Sequence, residues 1–265
     1  MRRIVLIVTA LGALVAAGAA IAATSQINSY KINMKFSPKK AGSTHKPAPV
    51  GFTLDIKASG THGNRTAVLL DLKTKIYGLR ADGKDFPTCT PAQIGAAQND
   101  TVCPKAARVA TGYITATLGS ASNFQASGQA CDPVLDVWNG GPGKLTFFFV
   151  DTASHQCLGG ALHTGQVGPY PATYKTQGKY LVVDVPIPSY VDFPVPGLAG
   201  SLETEHLVWA KHTAKVHGHT VAAFSSVGCL KGKRPYSETF KAILPSSSGS
   251  GGVTQTKTVK HTAAC

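Results

Sequence analysis

Acidic residues are scarce in this chain of 265 residues, with 13 Asp and Glu against 26 Lys and Arg. A glycosidase needs two carboxyls about 5–10 Å apart in a cleft, so the raw material for that chemistry is thin. Arginine is scarcer still. Lysine supplies most of the basic charge and only two tryptophans occur, Trp138 and Trp209. Readers of nucleic acid lean on Arg forks and stacked aromatics, so the composition speaks against a nucleic-acid partner. No Cys-x-x-Cys occurs, which removes the zinc-ribbon and thioredoxin-like readings. Gly-x-Ser-x-Gly and phosphate-cradling glycine motifs are missing as well. Beyond residue 21 no run is long and apolar enough to span a membrane. Helical periodicity is almost absent.

What is present begins with an export signal. Arg2 and Arg3 precede an uncharged stretch from Ile4 to Ile21, and Ala20 and Ala22 form an A-x-A cleavage pattern. Residues 1–23 therefore read as a secretory signal peptide, with an uncleaved anchor as the competing reading. Loss of Arg2 and Arg3 lowers the formal charge from +13 to +11. Residues 24–265 are expected to form a single β domain, with a sub-boundary near 194–200 as the place where it would split.

Export puts the six cysteines, Cys89, Cys103, Cys131, Cys157, Cys229 and Cys265, in an oxidising compartment, where an even count favours disulfides. Six cysteines allow about fifteen pairings, and the pairing preferred here joins sequence neighbours: 89–103, 131–157 and 229–265.

Period-two alternation dominates the chain. Tyr30, Ile32, Met34 and Phe36 alternate with Lys31, Asn33 and Lys35, and Phe52, Leu54 and Ile56 with Thr53, Asp55 and Lys57. Such patterning marks antiparallel strands packed on one side. Further strands are expected over 67–79, 109–118, 134–138, 145–150, 180–187, 202–211, 219–226, 236–244 and 253–262. Thr90 followed by Pro91 predicts a capped two-turn helix inside the 89–103 loop. Residues 158–178 read as an irregular excursion, and the proline-rich 186–200 segment as an extended crossover. The fold class that follows is all-β: an antiparallel β-sandwich, Greek-key or jelly-roll-like, with one short helix in a disulfide-closed loop.

Candidate chemistry is sparse. His206, His212, His217 and His219 are the one group with metal-ligand character, because His217-Gly-His219 would put two imidazoles on one strand face. The bland alternative is a polar hairpin tip. Asp82 and Asp85, which flank Gly83-Lys84, and Asp132 and Asp136, four apart, are candidate acid pairs, while Asp151, Asp184 and Asp192 are isolated. Asp82-Gly83 reads better as a hairpin signal. Tyr170, Tyr174, Tyr190 and Phe193 could form a sugar-binding aromatic strip or simply pack. Neither a catalytic residue nor a cofactor is implied.

The stretch from Leu79 to Gly119, with Phe86, Pro87, Cys89, Cys103, Pro104, Val109 and Gly112, resembles an uncharacterised family of secreted, β-rich actinobacterial proteins that share a Phe-Pro-x-Cys … Cys-Pro motif. Ser226 to Phe240 resembles the end of such proteins. The resemblance implies secretion, a β-rich fold and a Cys89–Cys103 bridge, and carries no known activity. The expected function is a secreted or cell-envelope-associated, non-catalytic protein whose basic surface binds anionic envelope polymers or a membrane surface. The alternative is a carbohydrate-binding or carbohydrate-active domain.

Overall fold

A computed structural model describes residues 26–246 and 252–265; the segment read as a signal peptide lies outside them. The described residues form an antiparallel all-β structure with seventeen strands and two short helices. In chain order the first strands are β1 (Asn28–Ser37), β2 (Ala48–Pro49), β3 (Gly51–Gly60), β4 (Val68–Tyr77) and β5 (Leu79–Ala81). Helix α1 (Pro91–Ala97) precedes β6 (Arg108–Ser120), β7 (Gln129–Cys131), β8 (Val134–Gly141), β9 (Lys144–Val150), β10 (Tyr170–Gln177) and β11 (Tyr180–Pro186). After α2 (Ser189–Asp192) come β12 (Leu198–Trp209), β13 (Thr213–Val216), β14 (His219–Ala222), β15 (Phe224–Ser226), β16 (Lys233–Pro245) and β17 (Gly252–Ala264).

One large sheet runs in the order β1-β3-β12-β6-β8-β9-β10-β11-β4-β16-β17, with β7 beside β6. It curls into a flattened, nearly closed barrel. Its first strand meets the last two without a ladder: the Asn28 amide donates to Gln255 Oε1 on β17 (3.0 Å), and the Met34 amide to the Tyr236 hydroxyl on β16 (2.9 Å). Tyr30 and Phe240 stack across the same seam, with ring centroids 3.9 Å apart. Edge amides of β1 thus find side-chain acceptors where a neighbouring strand would otherwise supply them.

Alternation dictates the lining. Ile32, Met34 and Phe36 on β1, and Phe52, Leu54 and Ile56 on β3, are all buried, while the lysines between them face water. Burying about 25 cal/mol per Å² of apolar surface, these inward faces form one main core that draws on β1, β3, β4, β6, β8 to β12 and β16. Residues 194–200 lead directly into β12, which sits between β3 and β6 in mid-sheet.

The three-stranded sheet β2-β15-β5 covers one end of the barrel. There Arg234 is buried beneath it, donating from Nη1 to the carbonyls of Tyr77 (2.9 Å) and Gly78 (2.8 Å). Its Nη2 donates to the Ser226 hydroxyl (2.5 Å) and lies 3.1 Å from Cys265 Sγ. The guanidinium also sits over the Phe36 ring at 4.8 Å. Burial pulls its pKa down to about 10, so it stays charged at neutral pH. Phe36, Phe52, Trp209 and Phe224 continue this floor as an aromatic stack.

All three neighbour disulfides form: Cys89–Cys103, Cys131–Cys157 and Cys229–Cys265. Within the first loop, Thr90 and Gln93 make a reciprocal capping box at the start of α1, as the Thr-Pro pair predicts. The loop has a small core of its own, in which Ile94, Cys89, Cys103 and Ala107 pack on Trp138 and Phe148. Asn139 grips the approach to it, donating through Nδ2 to the carbonyls of Gly83 (2.8 Å) and Pro87 (3.0 Å).

Several local expectations need correction. Asp82-Gly83 is not a hairpin turn. Gly83 has no side chain because a Cβ would lie 2.3 Å from Asn139 Oδ1. The run 67–79 breaks at Gly78, whose φ is +61° and where a Cβ would strike the Gly228 carbonyl. The segment 219–226 is likewise two strands, β14 and β15. Residues 158–178 are irregular only as far as Pro169; the remainder is β10, paired on both sides with β9 and β11. The proline-rich crossover contains a helical turn, α2, in which the Pro188 carbonyl accepts from Val191 and Asp192 amides.

Candidate functional site

The histidines do not converge. Val216 pairs with His219, leaving His217 and Gly218 as a two-residue turn with φ of 48° and 80°. That is the signature of a type I′ hairpin, so His217 and His219 do not share a strand face. His206 lies on the outer face of β12, with Nδ1 2.6 Å from Asp55 Oδ1, and its ring packs on exposed Tyr113. His212 belongs to the link between β12 and β13. Among the described residues no group of three His, Cys, Asp or Glu side chains is placed to hold a metal ion.

The acid pairs expected from spacing do not converge either. Asp82 accepts from the Lys84 amide in its own loop. Asp136 is held by Arg108 at 3.0 Å, and its partner turns out to be Asp100, whose pKa is pushed up to about 6 by burial and by the neighbouring Asp136. Nor do the four aromatics form a strip. Tyr170 is inside the barrel against Phe147, whereas Tyr190 and Phe193 are exposed.

What the fold does bring together lies in the lumen. A cavity of about 130 Å³ is bounded by inward faces of β1, β3, β4, β6 and β8 to β12, and by β16. Its wall is almost wholly apolar, with Leu54, Ile56, Leu72, Leu135, Val183 and Leu207 typical of it. Trp209 lies at its floor end. Half-buried Leu162, Val167, Ile187, Val191 and Pro194 edge the opposite end, supplied by α2 and the excursion before β10. Cys131–Cys157 fastens the base of that excursion to β7.

Three carboxyls interrupt this wall: Glu205 on β12, Glu238 on β16 and Asp192 on α2. Glu238 is 1% exposed and Glu205 8%. Glu238 Oε1 accepts from the Thr74 hydroxyl (2.9 Å), but its Oε2 has no hydrogen-bonding partner among the described residues. Burial raises Glu205 to about 7, and raises Asp192 and Glu238 each to about 8. The neighbouring Glu205 and Asp71 push Glu238 the same way. The phenol of Tyr170 is also driven up, by burial and then by Glu205 and Asp192. Burial thus biases all three lumen carboxyls toward their protonated forms. Trp209 adds an indole Nε1 donor with no acceptor among the described residues.

Residue spacing offers Glu205 only as a possible companion to the histidines, alongside Glu203, and does not single out Glu238. Strand parity carries the signal. Glu205, Leu207 and Trp209 share one face of β12, and Tyr236, Glu238, Phe240 and Ala242 one face of β16. A Glu in the apolar register of an amphipathic strand is an interior carboxyl.

Neither a protein-family model, nor a curated protein, nor a solved structure matches the chain.

Proposed function

We propose that this is an exported, non-catalytic binding protein that holds a small, largely apolar molecule in its barrel lumen and is retained at the cell envelope by its lysine-rich exterior. The observation that carries the first part is the apolar lumen lined by partnerless polar atoms. Small barrels whose interiors are not filled by side chains hold single small ligands. An apolar cavity of about 150 Å³ is large enough for benzene, close to the space found here.

The second part rests on uncompensated charge. Of the lysines, Lys73 alone makes an ion pair among the described residues, with Asp184 at 3.3 Å. Lys31 and Lys57 stand directly opposite each other across β1 and β3. A field of this kind draws the protein to anionic envelope polymers or lipid surfaces. Three disulfides fit folding in an oxidising compartment, and the amino-terminal sequence and the actinobacterial resemblance support export.

Toluene provides the test of the lumen. In a Trp138→Phe variant, whose remaining indole is Trp209, saturable change in emission with a matching rise in melting temperature is expected. Unchanged emission and melting at saturating toluene would sink the lumen reading. Retention on isolated cell envelopes should fall steeply as salt rises; retention indifferent to ionic strength overturns the envelope part.

A further inference from the structure

We infer that the ligand of the lumen carries an ammonium group on its apolar body and that Glu205, Glu238 and Asp192 receive it. This deepens, and rests on, the proposal that the lumen is the binding site.

No Lys, Arg or His side chain lines the cavity, whereas three acids do. Carboxyls are almost never fully buried without a partner, because hydrocarbon offers nothing to replace water. Here Glu205 has no hydrogen-bonding partner among the described residues, Glu238 has one for only one of its oxygens, and both are more than nine-tenths buried. Two incompletely partnered acids in mid-wall, on the face that otherwise reads Leu, Phe and Trp, make sense when an outside group completes them. An independent marker is Trp209, 5% exposed at the floor, with its Nε1 donor unanswered. The polar atoms of the lumen are thus unfinished at both of its levels.

The sign of the missing group follows from the wall. An anionic ligand would meet three acids and no base. A hydrocarbon would leave every polar atom as it is. An ammonium has three N–H donors and no acceptor, which suits the carboxyl oxygens and leaves the Trp209 Nε1–H for another atom of the ligand. Its arrival favours the ionised carboxyl, so a proton leaves the protein as the amine binds. The groups that face this exchange are Tyr170 on β10, Asp192 on α2, Glu205 on β12, Glu238 on β16 and Thr74 on β4, while Asp71 on β4 acts on Glu238 from outside the cavity wall.

Three probes of one size separate the possibilities: toluene, benzylamine and benzoate, titrated against the intact protein. Benzylamine is expected to bind at least tenfold tighter than toluene, and benzoate more weakly than either. Between pH 5.5 and 8, benzylamine affinity should rise while toluene affinity stays level. Glu205→Gln and Glu238→Gln should each lower the ratio of benzylamine to toluene affinity. If toluene binds and benzylamine binds no better, the inference falls and the lumen reading stands. An amine preference that survives the Glu205→Gln/Glu238→Gln double variant also overturns it. If neither probe binds, the lumen reading falls and takes the inference with it. The wild-type comparison decides the matter even where a variant does not fold.

Discussion

Arg234 at the floor and the acids of the mid-lumen are both charges buried in one barrel, yet their surroundings are opposites. Arg234 reaches two backbone carbonyls, a hydroxyl, a disulfide sulfur and an aromatic face, and leaves only Nε without an acceptor. The carboxyls of Glu205 and Asp192 reach no hydrogen-bonding partner among the described residues and that of Glu238 reaches Thr74 alone. A buried charge that is satisfied from within is a structural member. One that is left open destabilises the fold, and its cost is recovered only when something else binds. The contrast predicts that removing the two kinds of charge should have effects of opposite sign.

Arg234→Met is the most disruptive change in prospect. It strands the carbonyls of Tyr77 and Gly78 and the Ser226 hydroxyl, and a loss on the order of 3–5 kcal/mol is expected in urea unfolding. A loss under about 1 kcal/mol would break the comparison at its structural end. Next in size is Cys89→Ala/Cys103→Ala, for which the chain-entropy argument gives about 3 kcal/mol. Because that staple closes over its own small core around Trp138, toluene affinity in the surviving fold should be unchanged. A parallel loss of affinity would show that the module shapes the lumen.

The acids should behave in the other direction. Their pKa values are raised in the folded protein, to about 7 for Glu205 and about 8 for Glu238 and Asp192. The folded chain therefore holds protons that the unfolded chain gives up. Their contribution is fully present below the ordinary carboxylate range and is lost as pH rises through about 7 and then 8. Each group removes about 1.4 kcal/mol per pH unit across the interval between its two pKa values. Urea midpoints should thus fall between pH 5 and pH 9, and Glu205→Gln/Glu238→Gln/Asp192→Asn should flatten that slope. A slope unchanged in the triple variant would separate the acids from the pH response. The smallest effect is expected at the hairpin tip: His217→Asn in the I′ turn should stay within about 0.5 kcal/mol and leave zinc without effect on melting.

How far the chain could be read in advance follows from the range of its signals. Alternation in β1 and β3, the Thr90 cap and the neighbour disulfides are local features, and each was legible. Their physics is contained within a few residues or one short loop. Breaks at Gly78 and Gly83 were not, because what forbids a side chain there is the Gly228 carbonyl in one case and the Asn139 amide in the other. The lumen lay further out of reach, since Glu205 and Glu238 come together only when β12 and β16, seven places apart in the strand order, curl across the barrel. Even so, their parity was visible in the residues flanking them. Asp192 was not, since its strand-like surroundings fold into a helical turn.

The Cys229–Cys265 bridge also has a mechanical consequence. It spans the β16–β17 hairpin, whose ladder runs from Lys233↔Ala264 to Pro245↔Gly252. A pull applied at Cys265 passes through the sulfurs to Cys229 and reaches β15 without loading a single rung of that ladder. Stretched between Asn28 and Cys265 in a single-molecule experiment, the oxidised protein should keep the hairpin as a slack loop, and reduction should lengthen the unfolding trace by the contour of the 36 residues the bridge had shielded.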